Sequence, residues 1–466
     1  MEQTFFFYDL ETSGLDPRAD RLMQFAGQRT DMELNSIGDP VNILVKLGED
    51  TLPSPHAIMV TKITPQSTLQ DGLTEVEFCK YVMSEIFTPG TIATGYNSVR
   101  FDDEFMRHTF WRNYYDAYEW QWKDNRSRWD LLDVVRMTRA LRPDGIIWPI
   151  TPEGKATNRL ELMTKENGIA HEHAHDALSD VEALISVTKL IKEKQPQLYN
   201  YLFKMRDKRA VQKLINLENP QPFVYSCGRY SSENNKTSVA FPIAPAKNGN
   251  VLVFDLRYNL DDLLKEKAEL AKTDPAKSES FYPIVKELKY NHCPAVAPLG
   301  VLKQGNSWQQ INLDETTVQK NLTALLAHPE FAEHMRTQNE NREEFPPAAD
   351  AESALYDGFI DNLDKKTCDA VRNADIKEIS AFHPNFHDER LAEMFVNYKA
   401  RNFEQTLSDS ERASWEEYCL GRIRARQNSY IKAIQEIAAS PNADTYILEE
   451  LQLWYQSLLP YRCLCF

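Results

Sequence analysis

Apolar positions follow two rhythms along residues 1–195. The stretches "TFFFYDLE", "RLMQFAGQRT", "VNILVKL" and "TIATGYN" are short apolar or alternating runs and predict strands. Between and after them, "TEVEFCKYVMSEIF" and "FDDEFMRHTFWRN" carry helical spacing. "DALSDVEALISVTKLIKEK" predicts a long helix with Asp176 as its N-cap. Alternating strands and helices predict an α/β domain over residues 1–195, built on one mixed sheet flanked by helices.

The texture changes after "EKQPQ". A helical lead-in carries Lys204, Arg206, Lys208, Arg209 and Lys213. The strand-like runs "PFVYSC", "TSVAFPI" and "NVLVFDL" follow, separated by turn-rich "SSENNK" and "PAKNGN". They predict a β-rich domain over residues 196–349, a small barrel with helical insertions. "REEFPPAADAES" reads as a linker, and residues 350–466 carry Leu, Phe, Tyr and Trp at helical spacing. No internal repeat is visible.

Bulk composition narrows the function class. A chain of 466 residues is too long for one ordinary core, which agrees with several domains. Hydrophobic content of 42% and charged content of 26% suit a soluble globular protein. No apolar run is long enough to span a bilayer. The start, "MEQTFFFYDLE", is acidic and short, unlike a secretory signal. Seven cysteines without a paired CxxC framework read as reduced thiols, so the expected location is cytoplasmic. A net charge of -16 argues against coating nucleic acid with the whole surface, but leaves room for a local basic groove.

The chemistry begins at "FFFYDLETSG". Asp9 and Glu11 are two apart on a strand, so they share a face, and a cation between them would relieve their repulsion. In "GYNSVRFDDEF" a strand gives way to a helix at Asp102, with Asp103 and Glu104 as competitors for a third acid. "HEHAHDALSD" adds His175 and Asp180. Five residues apart on one helix, these two would diverge by about 140°, so they converge only if His175 lies in the loop ahead of the helix. His171 and His173 are read as loop residues; a zinc site there needs ligands the sequence does not place. "RHTFWRNYYDAYEWQWKDNRSRW" interleaves aromatic rings with arginines, a pattern that serves either a core or stacking on unpaired bases.

Asp-x-Glu, a distant Asp and His-x4-Asp together resemble the DEDDh branch of 3′→5′ exonucleases. Longer stretches are similar to bacterial exodeoxyribonuclease I: "YDLETSG", "GYNSVRFDDEF", "NRSRWDLLDV", "LRPDGIIWP", "NRLELMTKENGI", "AHDALSDVEA", "NHCP" and "NYKARNFEQTL". The resemblance implies a ribonuclease H-like exonuclease domain, an SH3-like barrel and an all-helical C-terminal domain. It also implies digestion of single-stranded DNA to 5′-mononucleotides. Asp9, Glu11, Asp102 and Asp180 are the expected ligands of two Mg²⁺ ions, which Mn²⁺ can replace, because carboxylates are hard donors. Glu11 also faces the substrate, and His175 is the expected general base. Tyr118 and Trp122 are the expected stacking rings. Arg107, Arg136 and Arg159 are the expected phosphate contacts, with surface salt bridges as the alternative. A monomer acting in DNA repair is expected, with no membrane contact. The family also binds the acidic tail of the single-stranded-DNA-binding protein through basic residues of the middle domain, where this chain offers Lys303. The rival readings are an exoribonuclease trimming RNA 3′ ends and an inactive single-stranded-DNA-binding scaffold.

Overall fold

Phe5, Phe6, Phe7 and Tyr8 are at most 1% exposed, and they make strand β1 (Thr4–Thr12) the buried axis of a mixed sheet. β1 pairs antiparallel with β2 (Leu22–Thr30) and parallel with β4 (Thr91–Gly95), while β2 carries β3 (Val41–Leu44) on its other edge. The computed structural model describes residues 3–171, 176–274, 280–342, 348–441 and 443–459. His173, His175 and part of the proline-containing linker, at 343–347, lie outside the described residues.

The chain divides into two compact units. One takes Met1–Arg126, Glu172–Glu182 and Pro346–Phe466; the other takes Ser127–His171 and Ala183–Phe345. In the first, the C-terminal helices pack on the same body as β1. Trp111 and Tyr114 share a cluster with Leu391, Met394, Phe395 and Tyr398 of the helix Glu389–Asn402. Met23 and Ile58 meet Ile423 and Tyr430 of the helix Asp409–Ala438 and Leu451 and Trp454 of the helix Thr445–Leu458. Buried charge reinforces this packing. Arg21 pairs with Asp50 at 2.8 Å and Glu352 at 3.0 Å, and Arg401 with the same carboxylates at 3.0 and 2.6 Å.

The second unit opens with β5 (Ser127–Asp130) and the helix Leu131–Leu141. Its antiparallel sheet joins β6 (Phe223–Ser226), β7 (Thr237–Ala246), β8 (Asn250–Asp255), β9 (Val285–Leu288) and β10 (Ala295–Pro298) in the order β10-β6-β7-β8-β9. Phe223, Tyr225, Val251, Val253, Leu288 and Val296 face one core, closed by Val211 and Ile215 at the end of the lead-in. Arg206 of that lead-in folds back over the Phe203 ring at 3.7 Å. Among the described residues the five cysteines are unpaired and buried, and no helix is long and apolar enough to cross a membrane.

Candidate active site

Three turns of chain deliver the acids to one place. β1 ends in a register shift against β2 between Glu11 and Thr12, so the strand bends where its acidic pair emerges. Gly14 then closes the turn. A Cβ there would lie 2.2 Å from the Asp20 carboxylate, itself held by Arg426 at 2.5 Å, so only glycine fits. β4 runs through Asn97, which takes the left-handed conformation (φ 67°), into a short 3₁₀ turn and the helix Asp102–Arg112. Asp180 lies in the first turn of the helix Ala177–Lys194. Asp176 caps that helix as the spacing predicts, its carboxylate accepting the Ser179 amide at 3.0 Å.

Asp9, Glu11 and Asp180 each bring a carboxylate oxygen within 4.8 Å of the others. Asp102, 4% exposed, adds its charge to the same site. Burial raises the Asp9 pKa well above the usual carboxylate range, and Asp102, Glu11 and Asp180 push it in the same direction. Glu11 is pushed up to about 8 by burial, Asp180, Asp102 and Asp176. Such a set of oxygens is unfavourable without a positive charge among them. The donors are hard and anionic, and their spacing fits a divalent cation.

Of the three acids in "FDDEF", only Asp102 joins this cluster. Asp103 accepts the Tyr8 hydroxyl, and Glu104 accepts Arg107 and the hydroxyl of Tyr356. His171 Nδ1 lies 3.1 Å from the Thr164 hydroxyl.

The candidate nucleic-acid contacts differ in kind. Trp122 is 62% exposed, whereas Trp111, Tyr114, Trp120 and Trp129 of the same aromatic stretch are at most 5% exposed and belong to cores. Tyr118 is half-buried, with the Arg107 guanidinium 5.3 Å from its ring centre. Arg107 itself is 5% exposed, bonded to Glu104 and to Gln121 Oε1 at 3.0 Å, so a phosphate reaches it only by competing with Glu104. In the second unit Arg136 pairs with Asp133 at 2.6 Å, and Arg159 is largely exposed, 4.0 Å from Glu161. Two aromatics escaped the sequence reading. Tyr356 reaches Glu104 and Arg107 from the far end of the chain, and Phe359 is fully exposed three residues later. Their short motif, "LYDGF", carries no periodicity that would have flagged it.

Comparison with known proteins follows the same outline. A family model described as "Exonuclease" matches residues 6–188, one described as "Exonuclease I SH3-like domain" residues 206–340, and one described as "Exonuclease I C-terminal domain" residues 349–458. The chain is 37% identical to exodeoxyribonuclease I of Haemophilus influenzae, covering 94% of this chain and 93% of that protein. It is 37% identical to the Escherichia coli enzyme, covering 90% and 89%. Solved E. coli structures superpose over 98% of this chain and 100% of theirs. They include exonuclease I with a dA16 oligonucleotide (TM-score 0.92, 34% identity) and a zinc-bound exonuclease I–single-stranded DNA complex (0.90, 34%). Another solved structure, described as SSB/exonuclease I with an inhibitor, superposes over the same shares of both chains (TM-score 0.88, 33% identity).

Proposed function

Because this chain belongs to the exodeoxyribonuclease I family, we propose that it removes nucleotides one at a time from the 3′ end of single-stranded DNA. The observation that carries this reading is the cluster of Asp9, Glu11 and Asp180 oxygens within 4.8 Å, with Asp102 beside it, in a chain related to exodeoxyribonuclease I over 94% of its length. Asp9, Glu11, Asp102 and Asp180 would hold two Mg²⁺ ions. When bound, such ions polarise the scissile phosphate, activate water and stabilise the departing 3′ oxygen.

The protein's own part is positioning. The four carboxylates supply the hard oxygen donors and a fixed negative field. His175, outside the described residues, takes the proton of the attacking water in this reading. Hydrolysis adds water across the P–O3′ bond and releases a 5′-mononucleotide. Trp122, Tyr118 and the exposed Phe359 offer faces for unpaired bases, while Arg107, Arg136 and Arg159 serve the phosphates. DNA repair is the process such an activity serves.

We propose a site for the single-stranded-DNA-binding protein in the second unit. Arg142, Gln195, Pro196, Gln197 and Leu198 line a cavity of about 260 Å³. Among the described residues the Arg142 guanidinium bonds only neutral acceptors: the Leu141 and Val301 carbonyls, the Ser307 hydroxyl and Gln304 Oε1. A cation without a carboxylate partner, beside Pro196 and Leu198, suits the acidic, apolar tail of a single-stranded-DNA-binding protein. Lys303 is half-spent on Glu315 at 3.9 Å. The deciding test is digestion of labelled single-stranded DNA, blunt duplex and RNA by wild type, Asp9→Ala and Asp180→Ala, with circular dichroism to check folding. Metal-dependent loss of single-stranded DNA in wild type alone is the expected result. Preference for RNA, or activity in either variant, overturns the reading.

A further inference from the structure

Tyr8 and Asp9 are neighbours on β1, so their side chains leave opposite faces of the strand. Asp102 and Asp103 are neighbours at the start of the helix Asp102–Arg112. The two pairs meet. Asp9 and Asp102 repel each other, and the Tyr8 hydroxyl donates a hydrogen bond to Asp103 Oδ1 at 2.5 Å. Tyr8 and Asp103 are each 1% exposed. Three aromatic neighbours hold the phenol ring: Phe25 stacked at 5.9 Å, and Phe87 and Trp120 edge-on at 6.4 Å. The hydroxyl therefore sits at a set position, and a carboxylate acceptor makes its bond short and charge-assisted.

We propose that Tyr8 is a positioning residue for metal binding, tying the helix that carries Asp102 to the strand that carries Asp9. On one side of the strand–helix junction two carboxylates push the elements apart. On the other, a phenol–carboxylate bond holds them together. The separation of Asp9 and Asp102 is thus set before a cation arrives, and the cation is spared the work of closing the junction. This inference rests on the reading of Asp9 and Asp102 as metal ligands. A phenol that merely filled the core would leave metal affinity unchanged when its oxygen was removed.

Tyr8→Phe is the discriminating variant, because it keeps the ring and its three aromatic contacts and removes only the donor. Mn²⁺ binding to the DNA-free protein, followed by electron paramagnetic resonance, gives a readout independent of turnover. Partners outside the ligand shell typically alter metal affinity by 10–100-fold. Tyr8 acts through the residue beside a ligand, so its loss should raise the Mn²⁺ dissociation constant by about 10-fold, the low end of that range. The Mg²⁺ concentration for half-maximal DNA digestion should rise in parallel, with the rate at saturating Mg²⁺ recovering to within a few-fold of wild type. Unchanged Mn²⁺ affinity in Tyr8→Phe overturns the tether. The control is Asp102→Asn. If it loses Mn²⁺ while Tyr8→Phe does not, only the tether fails; if it binds Mn²⁺ normally, the ligand assignment fails and the tether with it.

Discussion

Replacing Glu11 with glutamine should stabilise the metal-free protein while destroying its response to metal. Two carboxylates 4.8 Å apart repel by about 3.5 kcal/mol at an effective dielectric of ~20, and Glu11 faces both Asp9 and Asp180 within that distance. A second route gives a similar scale. An acid whose pKa rises from 4.5 to about 8 on folding costs the fold about 5 kcal/mol at alkaline pH, at about 1.36 kcal/mol per pH unit. Both figures exceed the net effect on stability. Glu11 is partly exposed, so solvent screens it, and the buried glutamine amide keeps some of the desolvation cost. A net gain of about 1–3 kcal/mol remains, or roughly 2–12 °C in melting temperature at 2–4 °C per kcal/mol. The sign of the pH dependence follows from the raised pKa. Below pH 4.5 the carboxyl is protonated in both states and costs nothing; the penalty grows as pH rises and is complete above about 8. Glu11→Gln should therefore melt close to wild type at pH 4.5–5 and clearly above it at pH 8.5, both in chelator. Millimolar Mg²⁺ should raise the wild-type melting temperature at pH 8.5 and leave the variant nearly unmoved, because a hard anionic donor has been lost. Differential scanning calorimetry across pH, with and without metal, measures these melting temperatures. A variant less stable than wild type at pH 8.5, or a gain that shrinks as pH rises, would refute the reasoning.

Trp122→Ala should weaken binding of a single-stranded oligonucleotide by roughly 5–150-fold, the equivalent of 1–3 kcal/mol, yet change stability by under about 0.5 kcal/mol because the ring is 62% exposed; fluorescence anisotropy and calorimetry separate the two effects. Tyr118→Ala should lower both, since Arg107 rests against that ring. Glu352→Gln leaves Arg21 and Arg401 to share Asp50, and should cost about 3–5 kcal/mol of stability by calorimetry; a loss under about 1 kcal/mol would show the buried cluster to be electrostatically slack. Glu75 is held at about 2, down from 4.5, by Arg112, which overcomes the opposing effect of burial. A depressed acid contributes stability that is present above pH 4.5 and fades as pH falls towards 2, so the penalty of Glu75→Gln in urea titrations should be full at pH 6 and reduced at pH 3.

Strand β1, the capped start of the helix Ala177–Lys194 and the strand runs of the second unit were all legible in the sequence, because hydrophobic period and capping chemistry are local. The carboxylates were legible for a related reason: acids at the end of an apolar strand, or at the start of a helix, mark a place where the backbone is spent and the side chain is free for chemistry. Local pattern could not choose among Asp102, Asp103 and Glu104. Their partners decided it, and those partners, Tyr8 and Tyr356, come from 95 and 252 residues away. The aromatic stretch tells the same story. Nothing local separates Trp120, which is 1% exposed, from Trp122, which is 62% exposed. Trp111 and Tyr114 are buried because helices from the other end of the chain cover them, and Arg107 is buried because Glu104, Gln121 and Tyr356 gather around it. Sequence by itself determined which segments could form and which groups could do the chemistry. Burial and charge pairing depend on neighbours brought together only by folding, so the choice between core ring and stacking ring, or free cation and paired one, belonged to the tertiary structure.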